Sequence, residues 1–402
     1  MNCTEVMNQP LLLHIIERLE GFLGKLPATI QRPILNELTP LKELFLQQRP
    51  PRFVLTGSNR LPVQEIIPAL FASERPEESQ EVLAEIFRWQ DFIIDEHGTI
   101  AILDARGADD AALSNIREQL NHHPADIFFF LADGERDGSQ HQREVENLAS
   151  FLALNDEVAT PAKAVGIICR GVQHAFAPDQ NGAKREDAES KLRTAFASTS
   201  LVRERLLQII DIPFLAGTGD APHWEARRLM SLVTQYLPNE ARVEMIRVSR
   251  DREAQTKVAQ ILVKSTSAIC TAIGAQPIPL ADLPILTALQ LVMVSGIMYI
   301  SGRERSVRAA TEFIAALGAN VGAGMLLREG TRAVLKFFPG WGNVVCGMVA
   351  GAGTYAIGRA AIVYFLEGLS LRDARRAYLT NRRKSVRPRR LEQARGATAR
   401  AE

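Results

Sequence analysis

The residues with the clearest chemical pattern lie at 53–70, where a short apolar run leads into a glycine turn and then into an apolar stretch with helical spacing. A strand, a glycine turn and a helix form the layout of a phosphate-binding loop, whose motif GxxxxGK[ST] supplies backbone amides, a lysine and a hydroxyl. Counted from Gly57, the last three positions of that motif hold Pro62, Val63 and Gln64. The layout of the loop is therefore present without its lysine or its hydroxyl.

These replacements remove several contacts that a bound phosphate would need. Without a lysine at position 63, the phosphates lose a charge-assisted contact worth about 1.5–3 kcal/mol. Without a serine or threonine at position 64, Mg²⁺ loses its hydroxyl ligand. Pro62 has no amide hydrogen to donate.

A second group of candidate residues follows the apolar run 100–103. Asp104-Ala105-Arg106-Gly107 matches a DxxG motif, in which the aspartate holds Mg²⁺ and the glycine amide contacts the terminal phosphate. Ligands of doubly wound sheets bind beyond the carboxyl ends of the strands, where both motifs would lie. The candidate nucleotide-binding residues are therefore Gly57, Ser58, Asn59, Asp104 and Gly107, and Asp104 is also the candidate Mg²⁺ ligand.

Two later segments occupy positions at which a guanine base would be read. The sequence 169–172 (Cys-Arg-Gly-Val) stands where an NKxD motif is expected, and the valine side chain at 172 cannot accept hydrogen bonds from guanine. The sequence 216–219 (Ala-Gly-Thr-Gly) is similar to the turn that backs the guanine ring. The acidic segment 133–138 follows another strand and is interpreted as a polar loop, with a cation site as the alternative.

The elements that must position these residues alternate between short apolar runs and helical stretches, which is typical of βαβ units with a parallel sheet. We predict strands at 53–55, 92–95, 100–103, 126–131, 164–169 and 212–216. Helices are predicted near 64–72, 80–89, 110–121, 140–154, 185–210 and 224–237. The fold class is therefore α/β plus all-α, with a P-loop-like mixed sheet and flanking helices, an N-terminal helical arm and a C-terminal apolar helical module.

This strand order, with Gly57, Asp104, Cys169 and Ala216 at successive strand ends, resembles the Era-like (translation-factor-related) GTPase domain over residues 51–238. The resemblance implies a site for GTP and Mg²⁺. The chain departs from the family where the Walker A lysine and the NKxD motif would stand. Phosphoryl transfer depends on positioning and electrostatics, so these losses favour a non-hydrolysing pseudo-GTPase over an active enzyme.

After residue 239 the composition becomes helical and apolar. Residues 240–272 are predicted to form one long helix, and 283–302 and 337–358 are uncharged stretches of membrane-span length. Glycines at 318, 322, 324, 347, 351, 353 and 358 suit close helix packing. The segments 237–242, 272–290, 336–342 and 356–365 resemble the YcjF-type domain of unknown function found after bacterial GTPase domains. This resemblance implies a helical, membrane-associated module at 239–370.

The two ends of the chain are interpreted as an arm and a tail. Residues 1–50 contain amphipathic helices, with an apolar stripe that suits docking on a neighbouring domain or a second copy. Residues 371–402 form a basic tail. From position 370 onward the sequence has eleven Arg or Lys and three acidic residues, which gives a net charge of +8. Binding to anionic lipid, a solvated disordered end and nucleic-acid binding stay open for it. Specific nucleic-acid recognition is disfavoured, because the tail has a single aromatic residue, at position 378, and bases need aromatic side chains on which to stack.

Other catalytic classes have little support. The four cysteines lack metal-ligand spacing and indicate a reducing compartment, the seven histidines show no metal motif, and there is no Rossmann GxGxxG. The leading hypothesis is a non-enzymatic, GTPase-like protein that acts through an unidentified protein partner on the cytoplasmic side of the inner membrane, integral or peripheral. The alternatives are a divergent GTP-binding protein with weak GTPase activity and a soluble helical scaffold.

Overall fold

A computed structural model describes residues 21, 31–32, 48–71, 86–94, 98–134, 141–170, 181–213, 224–275, 282–318 and 341–386. The chain divides into two compact units, one spanning Gln48–Asp251 and the other including the chain from Arg252 onward. The predicted N-terminal helices lie almost entirely outside the described residues. The α/β plus all-α fold class is confirmed.

The first unit is built on a six-stranded sheet with the strand order β2-β3-β1-β4-β5-β6. Its strands are β1 (Arg52–Gly57), β2 (Trp89–Ile94), β3 (Gly98–Asp104), β4 (Ile127–Asp133), β5 (Lys163–Arg170) and β6 (Leu206–Pro213). Strand β2 pairs antiparallel with β3, and all other neighbouring strands are parallel. The carboxyl ends of β1, β3, β4, β5 and β6 therefore meet at one edge.

Helices cover both faces of this sheet. They are α1 (Val63–Leu70), α2 (Asp110–His122), α3 (Gln142–Asp156), α4 (Asn181–Ala197), α5 (Ser200–Arg205), α6 (Trp224–Tyr236) and α7 (Asn239–Ser249). Alternate residues of β4 contribute to different cores: Phe129 packs with residues of α1, α6 and α7, and Phe130 packs with residues of α2, α3 and α4. A strand buried on both faces needs a continuous apolar run, which explains the sequence Ile-Phe-Phe-Phe-Leu of β4.

Two sequence predictions are wrong at the end of this unit. Residues 206–210 were predicted to be helical, but they form the first part of β6, which pairs with β5. The single helix predicted at 240–272 is two helices, because Arg250 adopts a left-handed conformation with φ 51°. The first of them, α7, belongs to the sheet unit, where the Glu244 carboxylate accepts a 2.8 Å hydrogen bond from the amide of Thr99 at the start of β3.

The second unit is helical over its described residues. It contains α8 (Arg252–Gly274), α9 (Asp282–Ile300), α10 (Val307–Gly318), α11 (Trp341–Ala361), a π-helical turn (Ile362–Leu366) and α12 (Leu371–Val386). Small residues let α8 and α11 approach closely: a Cβ at Gly347 would lie 2.6 Å from the Thr271 carbonyl oxygen, and one at Gly351 would meet the Thr271 hydroxyl. The prediction that glycines mediate helix packing is confirmed at these two positions.

The apolar segments of this unit differ from the predicted spans. Over the described residues, one segment, Gly347–Leu366, has the length and composition of a membrane span, and 67% of it is buried among the other helices. The predicted span 283–302 corresponds to the shorter apolar helix Ile285–Ile300.

Candidate functional site

The candidate site lies at the carboxyl edge of the sheet, where β1 ends in the glycine turn. Gly57 has φ 93°, and a Cβ there would meet the Leu131 carbonyl oxygen of β4, so the turn requires glycine. The chain then continues through Ser58 and the exposed Asn59 to α1, which begins at Val63. The predicted strand, turn and helix at this position are confirmed.

The turn does not present its donors as a phosphate cradle would. The Ser58 amide donates a 2.9 Å hydrogen bond to the Leu131 carbonyl oxygen, so it is already used within the sheet. The Ser58 hydroxyl is fully buried, with no hydrogen-bond partner among the residues that the structure describes. Leu61 and Val63 both turn into the apolar core, at 7% and 6% exposure. Position 63, where the motif places its lysine, is therefore a packing position.

An arginine from the second motif occupies the inside of this turn. The Arg106 guanidinium forms a bidentate ion pair with Asp104, with Nε 2.8 Å from Oδ1 and Nη2 2.9 Å from Oδ2. Its remaining nitrogen, Nη1, donates to the carbonyl oxygens of Ser58 at 3.1 Å and Leu61 at 2.8 Å. The side chains of Arg106 and Asp104 are 7% and 9% exposed. One buried cation therefore holds the end of β3 against the loop after β1.

Gly107 completes the contact between the two motifs. It has φ 66°, and a Cβ at this position would lie 2.6 Å from Nδ2 of Asn59. A residue with a side chain would therefore be strained in its backbone and would collide with the first loop. The structure thus brings the five predicted residues, Gly57, Ser58, Asn59, Asp104 and Gly107, to one edge of the sheet, where Arg106 contacts Asp104 and Ser58.

The sequence interpretation treated Arg106 as a variable position of the DxxG motif and missed its role. The available signal was the combination of a loop without a lysine and an arginine two residues after the aspartate. A guanidinium presents several donors in a planar fork that matches a carboxylate, and it remains charged. Such a residue can replace the positive charge that the loop has lost.

The Asp104 carboxylate is not positioned to hold Mg²⁺ in this structure, because Arg106 already occupies it. Both carboxylate oxygens of Asp104 accept hydrogen bonds from Arg106, and the backbone amide of Arg106 also donates to Oδ1 at 3.2 Å. A metal ion would have to displace a buried guanidinium. Over the described part of the chain, no three His, Cys, Asp or Glu side chains form a group that could hold a metal ion.

Cys169, at the end of β5, is also part of this edge. Burial raises the pKa of its thiol, the positive charge of Arg106 acts to lower it, and the carboxylates of Asp211 and Asp133 raise it further. The thiol is therefore protonated at neutral pH and is a poor nucleophile. The predicted guanine-reading residue at 172, the turn at 216–219 and residues 135–138 of the acidic loop lie outside the described residues.

Comparison with known proteins gives one sequence relative. The chain is 31% identical over 139 residues to magnetosome membrane protein 22 of Magnetospirillum gryphiswaldense, a match that covers 32% of this chain and 70% of that protein. No protein-family model matches the chain.

Two chains from solved structures of an oligomerised bacterial dynamin pair, described as a mechanism for the long-range sensing and tethering of membranes, are also similar. Each is 9% identical to this chain, with a TM-score of 0.29. The matches cover 98% and 100% of this chain, and 78% and 80% of the respective dynamin chains. A TM-score this low does not establish a common fold.

Proposed function

The chain belongs to the same family as magnetosome membrane protein 22, and from that premise we propose that it is a membrane-associated, GTPase-like protein that does not hydrolyse nucleotide. It acts by binding a partner protein through a sheet unit in which Arg106 holds the loop after β1. The observation that carries the proposal is the Arg106 guanidinium, which joins Asp104 to the carbonyl oxygens of Ser58 and Leu61.

The arginine accounts for how the loop is stable without a nucleotide. In a phosphate-binding loop, positive charge and amide donors hold the anion. Here the anion is the Asp104 carboxylate and the cation is Arg106, so both charges of the site come from the chain itself. Two carbonyl oxygens of the loop are satisfied by the same side chain. Arg106 therefore orders the loop in the way a bound ligand would, and we call it the internal ligand.

The topology supports descent from a nucleotide-binding domain. The strand order 2-3-1-4-5-6 with an antiparallel β2 accompanies a glycine turn after β1 and an aspartate at the end of β3. This agrees with the Era-like interpretation of residues 51–238. The YcjF-type interpretation of 239–370 remains part of the proposal, although α7 packs within the sheet unit.

Membrane association is supported by the family and by the helical unit. The relative is named as a membrane protein. The apolar segment Gly347–Leu366 has the length of a span, and the following helix α12 is rich in arginine. We propose association with the cytoplasmic side of the inner membrane.

Titration calorimetry of the full-length chain with GTP and with ATP, each with Mg²⁺, tests the nucleotide part of the proposal. We expect no binding heat above dilution and no phosphate release above background. A Mg²⁺-dependent hydrolysis rate that Asp104→Asn abolishes would overturn the proposal in favour of a divergent GTPase. The matched control is Asp110→Asn, because that carboxylate lies exposed at the start of α2.

Fractionation of native cells tests the membrane part separately. We expect the chain to sediment with membranes, and carbonate extraction then distinguishes an integral from a peripheral protein. Recovery of the whole population in the soluble fraction would overturn membrane association and leave the nucleotide result unaffected.

A further inference from the structure

Helix α12 is held firmly on the helical unit by its inner side. Ser370 caps its start: the Asp373 amide donates to the Ser370 hydroxyl at 3.3 Å, and that hydroxyl donates to the Asp373 carboxylate at 2.6 Å. Ala374 and Tyr378 are buried at 0% and 4% exposure. Arg375 donates two hydrogen bonds to the Ala316 carbonyl oxygen near the end of α10. These contacts fix which side of α12 faces away from the unit.

The other side of α12 carries exposed arginine and leucine side chains. Arg372, Arg376 and Leu379 are spaced by four and three residues, so they lie along one side of the helix, and all three are exposed. The Arg376 side chain is 83% exposed, and Leu379 is 43% exposed. Leu369, directly before the helix, is 46% exposed. We call Leu369, Arg372, Arg376 and Leu379 the outer face.

Positive charge accumulates along the same helix and in the sequence after it. Over Leu371–Val386 there are six Arg or Lys and one acidic residue, a net charge of +5. The three basic residues that follow the outer face in sequence, at 382, 383 and 384, belong to the same helix. The sequence after the helix adds five more arginines, at 387, 389, 390, 395 and 400, and two acidic residues.

We infer that the outer face of α12 binds the surface of an anionic bilayer, with the two leucines entering the headgroup region and the arginines contacting lipid phosphates. This inference rests on the proposed membrane association and names the surface responsible for it. A helix with arginines and exposed leucines on one side suits the boundary between water and acyl chains, where apolar burial and attraction to anionic headgroups act together. The π-helical turn that ends the apolar segment 347–366 lies five residues before α12.

The outer face is less suited to nucleic acid. Binding of single strands needs aromatic side chains on which bases stack. The aromatic residue of the described helix, Tyr378, is 4% exposed and packs inward. A bilayer requires no stacking surface, and it offers the apolar region that Leu369 and Leu379 would enter.

Flotation of the purified full-length chain with vesicles tests the inference. Vesicles of phosphatidylcholine with 30% phosphatidylglycerol are compared with vesicles of pure phosphatidylcholine. Each arginine at an anionic surface contributes about 1 kcal/mol, or about fivefold in the partition coefficient. We therefore expect Arg372→Gln/Arg376→Gln to lower binding to anionic vesicles about 30-fold, and Leu379→Ser to lower it about fivefold.

The matched control is Arg193→Gln/Arg308→Gln, which removes the same charge from exposed side chains of α4 and α10. We expect the control to bind within twofold of the unaltered chain. Circular dichroism establishes that each variant retains its helix content.

Four outcomes would overturn the inference: equal flotation with neutral and anionic vesicles, equal losses in the control and the α12 double variant, tighter binding to single-stranded RNA than to anionic vesicles, or unchanged flotation of the α12 variants. Sedimentation of the chain with native membranes in any of these cases would leave the proposed function intact and reject only α12 as the binding surface.

Discussion

Replacement of Arg106 by alanine is the most direct test of the internal ligand. The change removes the guanidinium from a carboxylate whose side chain is 9% exposed, and it leaves the carbonyl oxygens of Ser58 and Leu61 without that donor. Loss of one partner of a buried ion pair costs about 3–5 kcal/mol, because the remaining charge stays in a medium of low dielectric constant. We expect a loss of this size in the free energy of opening of β1 and β3.

Hydrogen exchange with mass spectrometry on the full-length chain measures this free energy locally. At 1.4 kcal/mol per tenfold change, peptides covering β1 and β3 should exchange about a hundredfold to a few thousandfold faster in the variant. The control is Arg193→Ala on α4, which removes an arginine that is 63% exposed from its pair with Glu189. An exposed pair of this kind contributes about 0.3–0.5 kcal/mol.

A double-mutant cycle decides whether the ion pair itself is responsible. Asp104→Asn alone leaves the arginine buried without a negatively charged partner, whereas Asp104→Asn/Arg106→Ala removes both charges. We expect the double variant to be more stable than the sum of the single losses predicts, by about 1–3 kcal/mol. Additivity within about 0.5 kcal/mol, or a loss below about 1 kcal/mol for Arg106→Ala, would refute the assignment of Arg106 as the internal ligand.

The remaining predictions concern three glycine positions and a thiol. Gly57→Ala should destabilise the sheet unit by about 1–3 kcal/mol, seen as faster exchange of β1, because φ is 93° and the added carbon meets the Leu131 carbonyl oxygen. In α11, Gly351→Ala should lower the melting temperature because the added carbon meets Thr271, whereas Gly353→Ala, with no atom within 4 Å, should raise stability by up to about 1 kcal/mol. Cys169 should resist iodoacetamide at pH 8 in the folded chain and react after unfolding, because burial raises the pKa of its thiol.

These three experiments carry their own controls. Equal effects of alanine at 351 and 353 would contradict the packing of α8 against α11, since both sites lie in the same helix. Rapid alkylation of Cys169, located by peptide mass mapping, would contradict its burial. An unchanged exchange rate in Gly57→Ala would show that the turn tolerates a side chain.

The sequence was a good guide to the sheet because its strands are buried on both faces. The central strand β4 is apolar throughout, and its position follows directly from that run. The neighbourhood of Gly57 and Asp104 was also predictable, because the carboxyl ends of parallel strands meet at one edge. The five candidate residues therefore do lie at one edge of the sheet, and Asp104 among them pairs with Arg106.

Features that depend on tertiary contacts were not predictable from local pattern. Residues 206–210 have an apolar pattern that also suits a helix, and pairing with β5 makes them a strand. Arg250 ends α7 in a left-handed conformation that is uncommon for a residue with a side chain, so the sequence gives no stop signal there. The role of Arg106 depends on contacts with carbonyl oxygens 45 and 48 residues away in sequence, and no sequence motif predicts such contacts.

The arginine inside the turn also affects how readily this chain could acquire a nucleotide site by mutation. Val63→Lys alone would bring a second cation towards a loop that already contains a guanidinium, and it would place a charge in the core position that the valine fills. Arg106→Ala alone would leave a buried carboxylate without its partner. Each of these single changes is therefore disfavoured by a residue that remains, Arg106 in the first case and Asp104 in the second, so building a phosphate-binding loop here requires several changes to occur together.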